Sequence, residues 1–154
     1  MTEFYNGLTG SHSSAGPLSG VKVVELSSSS ACCPAAAAML SDLGAKVVKL
    51  EKPGGDYWRP DKPFFVQLNR GKTLRRLSVD ALSEELEDAS IFLTDFPMSS
   101  LKAVGADYAT LHAALPRLCF VCMTPWGVTG PASLRSCSFF FFGTYLSRLQ
   151  LNCE

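Results

Sequence analysis

The sequence predicts an α/β domain with a mainly parallel sheet and flanking helices. Two observations lead to that class. Short runs rich in β-branched residues alternate with helix-like segments, and residues 21–50 place a strand, a helix and a second strand in immediate succession. Parallel strands joined this way need a right-handed crossover and a sheet covered by helices.

Val21 to Leu26 is an apolar run interrupted only by Lys22 and Glu25, which suits a buried strand. Ser27 to Cys33 follows as a loop of small residues. Pro34, four alanines, Met39 and Leu40 then read as a helix, with proline in its first turn and Gly44 just past its end. Lys46 to Leu50 is the second strand. The turn Lys52-Pro53-Gly54-Gly55-Asp56 closes this unit, and Pro53, Pro60 and Pro63 predict an irregular loop rather than an element after it. Leu74 to Val79 is a short strand carrying Arg75 and Arg76. Asp80 or Ser83 caps a short acidic helix through Asp88, with Glu84 and Glu85 near its positive end. Ile91 to Thr94 is the next strand, Met98 to Val104 a short helix ended by Gly105, and Asp107 caps another helix that reaches Ala114. Leu118 to Thr124 reads as a last, buried strand.

A chain of 154 residues accommodates one domain whose core sustains itself without disulfides. With 47% apolar and 18% charged residues the composition is globular, and no apolar stretch approaches bilayer length. The formal net charge is zero, so the global field favours neither a nucleic acid nor a membrane as partner. The polar stretch Met1 to Ala15 carries Glu3, no apolar centre and no arginine, so it is expected to be a flexible leader rather than a signal or transit peptide. The six cysteines then read as reduced thiols of an intracellular protein, with the cytoplasm as default and the mitochondrion or peroxisome as the other compartments.

Cys119 and Cys122 are the pair most suggestive of a metal site. Three apart on a strand, they point to opposite faces, so they are expected to be core cysteines; with only His12 and His112 available, no metal site is assigned. Arg70, Lys72, Arg75 and Arg76 form a basic cluster that reads as a solvated face, or else as a receiver for a phosphate-rich small molecule.

Open parallel sheets bind ligands beyond the carboxyl ends of their strands, here Ser27 to Cys33, Glu51 to Asp56, Thr94 to Ser100 and Thr124 to Gly130. The first of these loops precedes a helix N-terminus, where unpaired N–H groups favour an anion, although a plain surface loop has the same composition. Neither G-x-G-x-x-G nor the Walker pattern is present.

Six collinear blocks are familiar: GPLSGVKVVEL at residues 16–26, Ala35 to Met39 leading into LGAKVVKLE at 43–51, PGGD at 53–56 with LNRGK at 68–72, ASIFLTDF at 89–96, GADYATL at 105–111 and PRLCFVCMTPWGVTGP at 116–131. Together they resemble the N-terminal part of class III CoA-transferases, the family that includes formyl-CoA and carnitine-related transferases and α-methylacyl-CoA racemase. The resemblance implies a Rossmann-like domain that holds CoA, with an acyl-CoA as substrate and no covalently bound cofactor. In intact members it also implies a dimer of interlocked chains.

Transferases of this family use an aspartate that attacks the acyl-CoA thioester, whereas the racemase branch moves an α-proton with an acid and a base. In both branches the key residue lies downstream of the block that ends here at Pro131. No aspartate follows Asp107, which sits at a helix cap, so no catalytic residue is assigned.

For CoA contacts the resemblance points to four positions. Lys52 follows the glutamate that ends the second strand. Asp95 stands where the family has asparagine, Ala31 where it has glutamine, and Ala103 where it has an arginine. The expected organisation is a leader at 1–15, a partial CoA-binding domain at 16–131 and a divergent tail at 132–154. The expected function is CoA transfer between an acyl-CoA and a carboxylic acid in a truncated, catalytically incomplete form. The alternatives are a racemase-like fragment and a non-catalytic partner that forms homodimers or pairs with a full-length relative.

Overall fold

The computed structural model describes residues 16–28, 30–131 and 133. In chain order they form β1 (Lys22–Leu26), α1 (Cys32–Asp42), β2 (Lys46–Glu51), α2 (Lys62–Asn69), β3 (Thr73–Arg76), α3 (Val79–Glu87), β4 (Ile91–Thr94), α4 (Met98–Ala103), α5 (Tyr108–Ala114) and β5 (Cys119–Cys122). The five strands are parallel in the order β3-β2-β1-β4-β5, as the α/β reading expected. The order reverses between β1 and β4, because the chain first builds toward β3 and then returns to add β4 and β5 on the other side of β1.

Alternation along β1 and β2 divides the core between two faces of the sheet. Val23 and Val47 pack with Cys33 and Ala37 of α1, joined by Ala45 and Leu93. Val24, Leu26, Leu50 and Phe92 pack on the other side with Leu82 and Leu86 of α3, Leu101 of α4 and Leu111 of α5. The alanines of α1 allow it to lie close to the strands, and Ala37 and Ala38 are fully buried. Gly44 ends this helix with φ +97°, and a Cβ there would stand 2.9 Å from the Gly16 Cα, so both conformation and space require glycine.

The predicted loop after residue 56 is in part a helix. Pro63 occupies the first turn of α2, where a missing N–H costs nothing, and the Asp61 carboxylate accepts from the Phe64 N–H. Helix α3 is capped by Ser78, whose hydroxyl accepts from the Ala81 N–H, and not by Asp80 or Ser83. Strand β3 is accordingly shorter than expected and stops at Arg76.

The last strand also differs from expectation. Among the described strands β5 lies at the edge of the sheet, where only β4 pairs with it, and Cys119 is exposed while Cys122 is half-buried. Cys119 is therefore not a core cysteine. The Cys122 thiol donates to the Phe96 carbonyl oxygen at 3.6 Å. The leader at 1–15 and nearly all of the tail at 132–154 lie outside the described residues.

Candidate functional site at the carboxyl edge of the sheet

The loops that follow β1, β2 and β4 meet at the reversal of strand order, the place where open parallel sheets present ligand sites. Three of the four anticipated positions stand here. Lys52 leaves β2 as an exposed ammonium 5.0 Å from the centroid of the Phe96 ring, a cation–π contact that links the lips of β2 and β4. Ala31 is the N-cap residue of α1 and makes no side-chain cap bond. Ala103 ends α4 and is exposed, five residues on from the start of that helix at Met98, or about 8 Å at the helical rise.

Asp95 is the third of these positions, and its role is specific. One carboxylate oxygen accepts from the Ser28 N–H at 2.6 Å, and the other from the Ser30 N–H at 3.2 Å. The side chain of β4's loop thus supplies the acceptor that the loop after β1 requires. Burial raises its carboxyl above the ordinary aspartate range, the N–H bonds from Ser28 and Ser30 pull it down, and Glu25 adds to the rise.

Beneath this loop lies an ionic network that the sequence reading did not foresee. Glu25 on β1, fully buried, accepts from Lys72 Nζ at 2.6 Å and lies 3.4 Å from Lys49 Nζ on β2. Lys49 also binds the Asp56 carboxylate and donates to the Asn69 side-chain oxygen at 2.9 Å. Lys72 donates to the Pro34 carbonyl at 2.7 Å, and the Ser27 hydroxyl donates to Glu25 at 2.8 Å. Two carboxylates thus balance two ammoniums across β1, β2 and the start of α1.

The two lysines respond in opposite directions. Burial pulls the Lys49 amine down, but Glu25 and Asp56 outweigh it and hold the group above its ordinary value. At Lys72 burial prevails over Glu25, and the amine sits below its ordinary value. The Cys33 thiol, buried beside them, is raised far above the usual range by desolvation, with Glu25 and Asp95 adding to it.

This network corrects the reading of the basic cluster as a solvated face at Lys72, while Arg75 and Arg76 are exposed as that reading expected. Lys72 is only 3% exposed. Arg70 grips Asp42 with both Nε and Nη2, and Arg75 pairs with Glu84 and Glu85. The available signal was a charge inside an apolar run: Glu25 and Lys49 are each flanked by strand residues that the core absorbs, and the two are direct partners in the ladder. No group of three or more His, Cys, Asp or Glu side chains among the described residues is placed to hold a metal ion, and no described helix is long and apolar enough to cross a membrane.

The comparisons with known proteins agree with this architecture. The family model described as CoA-transferase family III matches residues 18–138. The chain is 34% identical to a succinate–glutarate CoA-transferase of Agrobacterium fabrum over 138 residues, covering 75% of this chain and 34% of the relative. It is 35% identical to a cinnamoyl-CoA:phenyllactate CoA-transferase of Clostridium sporogenes over 131 residues, covering 73% of this chain and 32% of that protein. Among solved structures, a CAIB/BAIF family protein from Brucella suis superposes with a TM-score of 0.74 at 31% identity, covering 82% of this chain and 38% of the other. The chain spans about a third of the length of the curated relatives it matches. On the match over residues 18–138, this chain belongs to CoA-transferase family III.

Proposed function

We propose that this chain supplies the CoA-holding part of a CoA-transferase, taking the phosphate-bearing end of an acyl-CoA at the loops after β1, β2 and β4, and that it does not complete transfer by itself. The observation that carries the reading is Lys52, an exposed ammonium fixed over Phe96 at the reversal of strand order in a chain of this family. A point charge on a flexible stem suits a phosphate. Asp95 acts against it. Its carboxylate already takes the Ser28 and Ser30 N–H groups and would repel a second anion brought to the same loop.

Transfer in this family, as the resemblance implies, needs an aspartate beyond the region of Pro131, and the last aspartate of this sequence is Asp107. Asp107 is committed elsewhere: it accepts from the N–H groups of Ala109 and Thr110 and from the Thr110 hydroxyl at the start of α5. The acyl-carrying carboxylate must therefore come from outside the residues present.

Calorimetric titration of the chain with CoA tests the binding half of the proposal. Binding is expected, and Lys52→Glu is expected to weaken it about tenfold. Equal affinity in the two proteins, or no binding at millimolar CoA, would refute it. The second half is tested with succinyl-CoA and glutarate, the pair named for a human succinyl-CoA:glutarate CoA-transferase 30% identical to this chain, where turnover by this chain alone would sink the claim that it is incomplete.

A further inference from the structure

Beside the edge strand β5, on the far side of the sheet from Lys72, lies a groove of about 480 Å³. Met98, Tyr108, Ala109, Phe120 and Val128 give it apolar walls, with Cys122, Thr129 and Asp107 also lining it, the Asp107 carboxylate being taken up by the Ala109 and Thr110 N–H groups and the Thr110 hydroxyl. Its aromatic side is already ordered: the Phe120 ring meets Phe92 and Tyr108 edge to face, at 5.5 and 5.9 Å between centroids. Tyr108 is 52% exposed and Val128 44%, so this aromatic and aliphatic surface opens outward. Large apolar groups left in water at one place mark a surface built to be covered.

We infer that the groove receives the phenylalanine run of this same chain, Phe139 to Phe142. The described residues lead the chain out next to the groove. Thr129 is part of its lining, and Ser133 turns back on Gly130, its N–H donating to the Gly130 carbonyl at 3.2 Å and its hydroxyl at 2.8 Å. From Ser133 the six residues to Phe139 reach up to about 20 Å when extended, ample for a return to Val128 and Tyr108. A short tether of this kind gives the run an effective concentration on the order of millimolar at the groove, which no free partner matches at ordinary dilution.

The chemistry also fits. Phenylalanine rings offer the edges and faces that Phe120 and Tyr108 pair with. The segment from 134 to 154 carries only Arg135, Arg148 and Glu154 as charged side chains, so little charge opposes burial of its apolar residues. The inference concerns a different ligand from CoA, although the groove borders the loop after β4: Met98 lines it two residues from Phe96, and the Cys122 thiol bonds the Phe96 carbonyl.

The test places the photoreactive analogue benzoylphenylalanine at position 140 in the full chain and maps cross-links after irradiation at low micromolar protein. Intramolecular links to Met98, Tyr108 or Val128 in monomeric protein are expected. Links between chains would assign the groove to a second copy, and links elsewhere or none would leave it to another occupant; either result overturns the inference. A second variant guards against misfolding. Val128→Asp, on an exposed loop, is expected to keep the circular dichroism spectrum and to cut the intramolecular link about tenfold. An unchanged yield would likewise overturn it.

Discussion

Under α1 and α2 the sheet buries Glu25, Lys49, Lys72 and Asp56 beside the apolar Val23, Val47 and Leu93, whereas under α3, α4 and α5 its core is Val24, Leu26, Leu50, Phe92 and the leucines that meet them. Both faces are closed, but they are stabilised differently. On the apolar face each side chain contributes separately, and a lost methylene costs what that methylene and its cavity cost. On the ionic face the contributions are joint, because removing one charge leaves its partners charged and dry.

Glu25→Ala breaks that comparison most sharply. It strips Lys72 of its carboxylate and Lys49 of one of its two, and the expected loss is about 3–5 kcal/mol in urea unfolding. A loss below about 1 kcal/mol would show that water enters and replaces the carboxylate. Leu101→Ala, fully buried on the apolar face, is expected to cost about 3 kcal/mol. The loss there should not change with pH between neutral and mildly acid conditions, since no titrating group is removed. A marked pH dependence would mean that the two faces are coupled through the strands.

The double variant Glu25→Met with Lys72→Met sharpens the comparison from the other side. Both charges leave together, Lys49 loses Glu25 but keeps Asp56 and Asn69, and the Ser27 hydroxyl and the Pro34 carbonyl lose partners. The expected cost is about 1–2 kcal/mol, well under that of Glu25→Ala alone. A double variant worse than the single one would show that the ionic pair contributes stability that apolar packing cannot replace.

The apolar face was the legible one. Val24, Leu26, Leu50 and Phe92 follow from strand runs, and α1 from its alanines and Gly44, because each rests on neighbours in sequence. The ionic face rests on contacts that sequence order conceals. Lys72 stands 47 residues from Glu25, and in isolation it read as one member of a basic cluster. Helix α2 was missed because Pro63 was weighed as a breaker, although with Asp61 before it the same proline is a good first-turn residue. Strand β5 has the composition of a buried strand, and its edge position depends on the sheet order, which no local pattern encodes. At the candidate site, Lys52 and Asp95 were located by resemblance, but the bonds that tie Asp95 to Ser28 and Ser30 became visible only when β1 and β4 were seen to be neighbours.

Asp95 joins the two halves of this comparison, being a buried charge held by backbone N–H groups instead of by a cation. Its folded pKa lies above the aspartate value of about 3.9 because burial outweighs the bonds from Ser28 and Ser30. The folded state therefore binds this proton more tightly than the unfolded state does. The stability linked to it is fully present below the unfolded pKa and is lost as pH rises through the folded one. Asp95→Asn has no such proton to lose. Measured by urea unfolding from about pH 4 to pH 7, the variant should gain on the wild type as pH rises, the gain levelling off once Asp95 is ionised in both states. The amide keeps one acceptor, so one of the two N–H bonds survives at every pH and the offset between the curves is separable from their slope. Parallel curves would mean that Asp95 is solvated well enough to titrate as an ordinary aspartate, and that the loop after β1 is held by its backbone rather than by this carboxylate.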